Sequence, residues 1–175
     1  MARVSYADLS QGATAGLAQR IAAERGSVLH LYQMLLHSPS VAEGWLTYLT
    51  AIRQKSSLNG ALRELVIMRI AHLNRASYEA DQHAPIALQE GLRQDQLDAL
   101  AQMTLPVGLF DARETAVLAY ADAMTQSVQV PDAVFHAVKT HFSDTELVEL
   151  TATIAAYNMV SRFLEALQVH SDDQR

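Results

Sequence analysis

The chain contains no cysteine. That absence removes disulfides, thiolate metal sites and every reaction that needs a thiol nucleophile or a thiol redox couple. Proline occupies only four positions and glycine seven, so long stretches are free of the residues that most often interrupt helices. Lys and Arg total 13 against 19 Asp and Glu, a formal net charge of −6, with a pI near 5.6. No basic cluster is available to neutralise phosphates, so a nucleic-acid partner is not expected. No apolar run reaches the length of a bilayer span, and the N-terminal MARVSYADLSQGATAGLAQR lacks the apolar core of a signal peptide. A cytoplasmic location with no membrane partner is therefore expected.

What remains is a chain of 175 residues, half of them apolar, enough for one domain with a sizeable core. Its periodicity is helical throughout. Apolar residues fall at spacings of three and four over 13–24, 28–37 and 39 to about 55, where Val41, Trp45, Tyr48, Leu49 and Ile52 form one broad face. Gly26 stops the first of these segments. Ser38-Pro39 reads as an N-cap followed by proline at the first helical position. After the polar break SSLNG, residues 61–74 are apolar around most of the circumference, as expected of a helix surrounded by others.

The chain should break after Asn74 and restart with Ser77 as cap, kink at Pro85 and close at Gly91. Further helices are expected over 93–103, from the Asp111-x-x-Glu114 capping box, over 131–142, and from the Ser143-x-x-Glu146 box to about residue 169, with 104–110 a loop. No strand pattern is present, so the reading is all-α with eight or nine helices. ELVIMRIAHLN (64–74) is echoed by ELVELTATIAAYN (146–158) in a register shifted by two, which shared packing explains.

The segment 60–91 sets Glu64, Arg69, Asn74, Glu79 and His83 into what otherwise reads as core helix. Glu79 and His83 are four apart, so they share a helix face, and a carboxylate beside an imidazole orients its tautomer and raises its basicity. Such a pair suits general acid or base work near neutral pH, although its common structural reading is a helix-surface contact. Glu64, from the preceding helix, completes a proton relay if the two helices pack antiparallel.

The order Glu64, Asn74, Tyr78-Glu79, His83, Ala87, Gly91, with MLLHSP and Trp45 before it and PDAVFHAVKTHFSDTELVELTATIAAYNMVSRFLEAL after it, resembles the carboxymuconolactone decarboxylase family, which shares its fold with alkylhydroperoxidase D. The resemblance covers residues 28–169 and implies an alkylhydroperoxidase D-like helical bundle. Residues 1–27 would then be an N-terminal arm and helix, the first ten or so a loose arm, and 170–175 a tail. In the peroxidase branch a glutamate precedes a Cys-x-x-Cys pair and a histidine follows it by four. Here Glu64 and His83 match, while the cysteine positions fall on Ala76 and Glu79.

Thiol peroxidase chemistry is thus excluded, and the cysteine-free, decarboxylase-like branch is implied. That branch implies cofactor-free decarboxylation, or related proton transfer, on a small carboxylated lactone or carbonyl compound. His83 would be the proton donor, with Glu64 and Glu79 setting its charge state. Arg69, Tyr78 and Asn74 are the candidates for substrate binding. Arg69 has the alternative of neutralising Glu64, Tyr78 of packing only, and Asn74 of ending its helix in the left-handed conformation that asparagine tolerates. Ala80 stands where many such sequences carry tryptophan, which implies a roomier pocket.

Glu64, Glu79 and His83 also form an oxygen-and-nitrogen set that a divalent ion could use. No second histidine lies at ligand spacing and no Glu-x-x-His pair is present, so neither metal nor cofactor is expected. The family's assembly as trimers or hexamers implies a homo-oligomer with its site near a subunit interface. The competing reading is a non-catalytic oligomer that keeps the pocket for ligand binding or sensing.

Overall fold

The computed structural model describes residues 1–10 and 12–173, so Gln174 and Arg175 of the expected tail lie outside the described residues. Among the described residues there are nine α-helices and no strand: α1 (Gly12–Arg25), α2 (His30–Leu35), α3 (Pro39–Thr50), α4 (Gly60–Leu73), α5 (Ser77–Gln89), α6 (Gln94–Leu100), α7 (Ala112–Gln126), α8 (Asp132–Lys139) and α9 (Asp144–Leu167). They fall into two units, Met1–Lys55 with the segment from Leu164 on, and Ser56–Phe163.

In the first unit α3 widens into a π-helical turn over Ala51–Lys55. The apolar stripes of α1 and α3 are buried through Ile21, Leu46 and Leu49, joined by Leu31, Met34, Leu35 and Leu36 from α2 and its end. Pro39 does occupy the start of α3, but the Ser38 side chain makes no capping bond. The expected loose arm is in fact tied down. Arg3 donates its backbone N–H to the Leu167 carbonyl at 2.8 Å, and the Tyr6 hydroxyl donates to Asp173 at 2.6 Å. That hydroxyl, helped by the His170 N–H, holds the Asp173 carboxyl below the usual range despite partial desolvation.

The second unit is organised around α4. From Glu64 to Ala71 every one of its residues is buried, which is why no polar face was visible in its sequence. Asn59 caps it, its side chain accepting the Leu62 N–H at 3.2 Å. Both capping boxes form: Asp111 and Glu114 exchange bonds at the start of α7, as do Ser143 and Glu146 at the start of α9.

The turn between α4 and α5 corrects two expectations. Asn74 keeps right-handed geometry (φ −85°), and Arg75 takes the left-handed position (φ 57°). The Ala76 N–H reaches the Ala71 carbonyl at 2.8 Å and the Arg75 N–H reaches that of His72 at 3.1 Å, a Schellman closure in which the left-handed residue comes one place after Asn74. The cap of α5 is therefore the fully buried Ala76, and the Ser77 side chain makes no cap. Helix α6 is also shorter than expected. Arg69 takes the carbonyl of Leu100, the last residue of the helix, and that of Gln102 just beyond it, and Met103 is exposed.

Candidate functional site

Helices α4 and α5 run antiparallel, since the first turn of α4 meets the last of α5 through Arg63 and Glu90 (3.0 Å). This brings Glu64 to His83: Oε2 of the carboxylate lies 2.6 Å from Nδ1 of the imidazole. Oε1 of the same carboxylate accepts from Arg63 Nε at 3.2 Å. One turn before His83, Glu79 approaches from the other side, its Oε2 3.6 Å from Nε2. That distance is an electrostatic contact rather than a hydrogen bond. Tyr157 from α9 stands edge-on to the imidazole, with ring centroids 5.1 Å apart and an interplanar angle of 89°, which fixes the plane of the ring.

All three titratable groups are withdrawn from water: Glu64 is 0% exposed, Glu79 4% and His83 5%. Charged groups in such a place need partners, and each is within reach of another. An ionised Glu64 only accepts, so the hydrogen in the short contact belongs to Nδ1. The second nitrogen, Nε2, is then left facing Glu79. An imidazole anchored at one nitrogen and exchanging at the other is equipped for general acid–base chemistry.

Of the residues singled out from sequence, Glu64, Glu79 and His83 come together, and Tyr78 is buried in the first turn of α5. Arg69 and Asn74 do not join them. The Arg69 guanidinium forks onto both oxygens of Asp122 at 2.7 Å and gives Nη1 to the carbonyls of Leu100 and Gln102. Asn74 donates to the Asn158 side chain at 3.0 Å, tying α4 to α9 through the two asparagines of the sequence echo.

Ala80 opens into a groove of about 540 Å³ between α4, α5 and α6, which His72, Met68 and Leu97 also line. Burial there, with Arg69 nearby, pushes the His72 imidazole below its usual value. Sequence reasoning missed Arg63 and Tyr157. Adjacent residues on a helix point about 100° apart, so nothing in the pattern ties Arg63 to Glu64, and Tyr157 is one apolar residue among many in α9.

The carboxymuconolactone decarboxylase family model matches residues 39–123, which include every residue of the site except Tyr157. The uncharacterized protein YnjA of Escherichia coli is 30% identical over 131 residues, covering 74% of this chain and 69% of its own length. A solved structure from Ralstonia eutropha, described as an alkylhydroperoxidase AhpD core and an uncharacterized peroxidase-related protein, superposes with a TM-score of 0.82 over 98% of this chain and 93% of that one, at 19% identity. The debrominase Bmp8 in complex with 2,3,4-tribromopyrrole shares the fold at a TM-score of 0.73 and 17% identity, over 89% of this chain and 83% of that one. With the motif from Glu64 to His83 inside the matched stretch, the chain belongs to the carboxymuconolactone decarboxylase family, and it shares the helical fold of these solved structures.

Proposed function

We propose that the protein is an enzyme of the cysteine-free, decarboxylase-like branch, acting by proton transfer at His83 on a small carboxylated lactone or related carbonyl compound. One observation carries this reading: a buried imidazole bound at Nδ1 by Glu64, with its second nitrogen turned to Glu79. Glu79 stands at the position that holds the second cysteine in the thiol branch, so proton exchange replaces thiol redox chemistry at the same place in the fold.

The chemistry follows from these groups. When the bond between the ring carbon and the carboxylate breaks, its electron pair passes into the conjugated carbonyl of the lactone, and carbon dioxide leaves. The substrate is its own electron sink. The imidazolium then gives its Nε2 proton to the carbon that carries the new electron density, and Glu79 assists reprotonation. Glu64 stabilises the imidazolium beforehand and keeps the neutral ring in the Nδ1–H tautomer afterwards. General acid–base participation of this kind contributes about 10²- to 10⁴-fold in rate.

The reading is tested by supplying a panel of small carboxylated lactones and β-keto acids and following carbon dioxide release, with Glu79→Gln beside the wild type. Turnover of at least one lactone acid, reduced by roughly 10²-fold or more in the variant, is the expected result. Tight binding of such a compound with no turnover would instead favour the non-catalytic ligand-binding reading.

A further inference from the structure

We propose that Arg63, clamped from the outside by Glu90, is the positioning residue of the site: it holds Glu64 by one oxygen so that the other is presented to His83. The proposal rests on the reading of His83 as the proton-transfer group.

Glu64 has no exposed surface, and its two oxygens are divided, Oε1 to Arg63 and Oε2 to His83. If Oε1 lost Arg63, one of the bonds that set the rotation of the carboxylate would be gone, and the direction of the short contact to Nδ1 would be less closely fixed. Arg63 would not reach its sequence neighbour without help, because consecutive helical residues diverge. The help comes from Glu90, whose Oε1 accepts from the far end of the same guanidinium at 3.0 Å while Nε stays on Glu64. Glu90 is the C-terminal cap of α5, the helix that also carries His83 and Glu79, so one helix carries both the proton-transfer group and the clamp.

The clamp has a seat. Glu90 lies over Gly60, the first residue of α4, and a Cβ placed there would overlap its carboxylate. Gly60 carries no positive φ, so what this glycine supplies is space. Arginine keeps its charge at every working pH, so Arg63 takes no part in proton exchange itself. Its effect is to fix the orientation and the ionised state of Glu64.

The test reads His83 directly. Imidazole nitrogen shifts measured by NMR without substrate, at alkaline pH where the ring is neutral, are expected to show the Nδ1–H tautomer in the wild type. In Arg63→Met that population should redistribute toward Nε2–H, with Arg63→Lys restoring part of it. Gly60→Ala and Glu90→Gln, which leave Arg63, Glu64 and His83 in place, should move it in the same direction by a smaller amount. On a turned-over substrate, Arg63→Met is expected to lower kcat roughly 10- to 100-fold with KM nearly unchanged. An unaltered His83 tautomer in folded Arg63→Met, or in both Gly60→Ala and Glu90→Gln should Arg63→Met fail to fold, overturns the proposal. Because the tautomer is read without turnover, absence of activity in the wild type would count against the proposed reaction and leave the test of Arg63 standing.

Discussion

In the proposed reaction His83 keeps one nitrogen bound while the other exchanges a proton, and its neighbours divide that labour. Glu64 anchors Nδ1, Glu79 faces Nε2 and the Tyr157 ring fixes the imidazole plane. Replacing Glu64 by Gln keeps the shape but removes the charge that favours the imidazolium, so kcat should fall by about 10²-fold or more in steady-state assays. A second histidine gives a stability test. Burial and then the nearby Arg69 charge lower the pKa of His72 in the fold below the 6.5 of an unfolded histidine. Protonation therefore favours the unfolded chain: stability should be full above about pH 6.5 and decline as the pH falls below it. The melting temperature measured on both sides of that pH should drop on acidification, and His72→Gln should flatten the decline. The Glu79–His83 pair was legible at this scale because spacing of four on a helix is itself a contact rule. Arg63 was not, since its approach to Glu64 depends on Glu90, which lies 27 positions away.

At the scale of elements, Arg69 belongs to the structure of the second unit. It joins α4 to α7 through Asp122 and closes α6 through two carbonyls. Arg69→Met leaves the partly exposed Asp122 without its partner and should cost about 3 kcal/mol in urea unfolding, the lower end for a broken buried pair. The folded variant should keep kcat/KM within a few-fold, whereas lost turnover at unchanged stability would give Arg69 a substrate role. The turn after α4 makes an opposite forecast. Arg75 holds a left-handed φ of 57° that glycine adopts freely, so Arg75→Gly should stabilise by about 0.5–1 kcal/mol and raise the melting temperature. Capping boxes were readable from sequence because both partners lie within one turn, at Asp111 and Glu114 and at Ser143 and Glu146. The Schellman closure was misplaced by one residue, because asparagine is the better left-handed residue by propensity and the carbonyls of Ala71 and His72 decided otherwise.

For the whole molecule, helical periodicity and the motif from Glu64 to His83 sufficed to read an all-α protein of this family. They did not reveal the tethered N-terminal arm, which is held by partners some 160 residues away. The homo-oligomer expected from the sequence is open to a direct test. Light scattering on a sizing column should give a multiple of 19.2 kDa; a clean monomer would count against a site completed by a neighbouring subunit. The proton transfer assigned to His83 is tested most directly by carbon dioxide release from γ-carboxymuconolactone, with wild type and His83→Gln compared at matched folded concentration. Turnover by the wild type that falls by about 10²-fold or more in the variant is the expected result, and a variant that decarboxylates as fast as the wild type would contradict it.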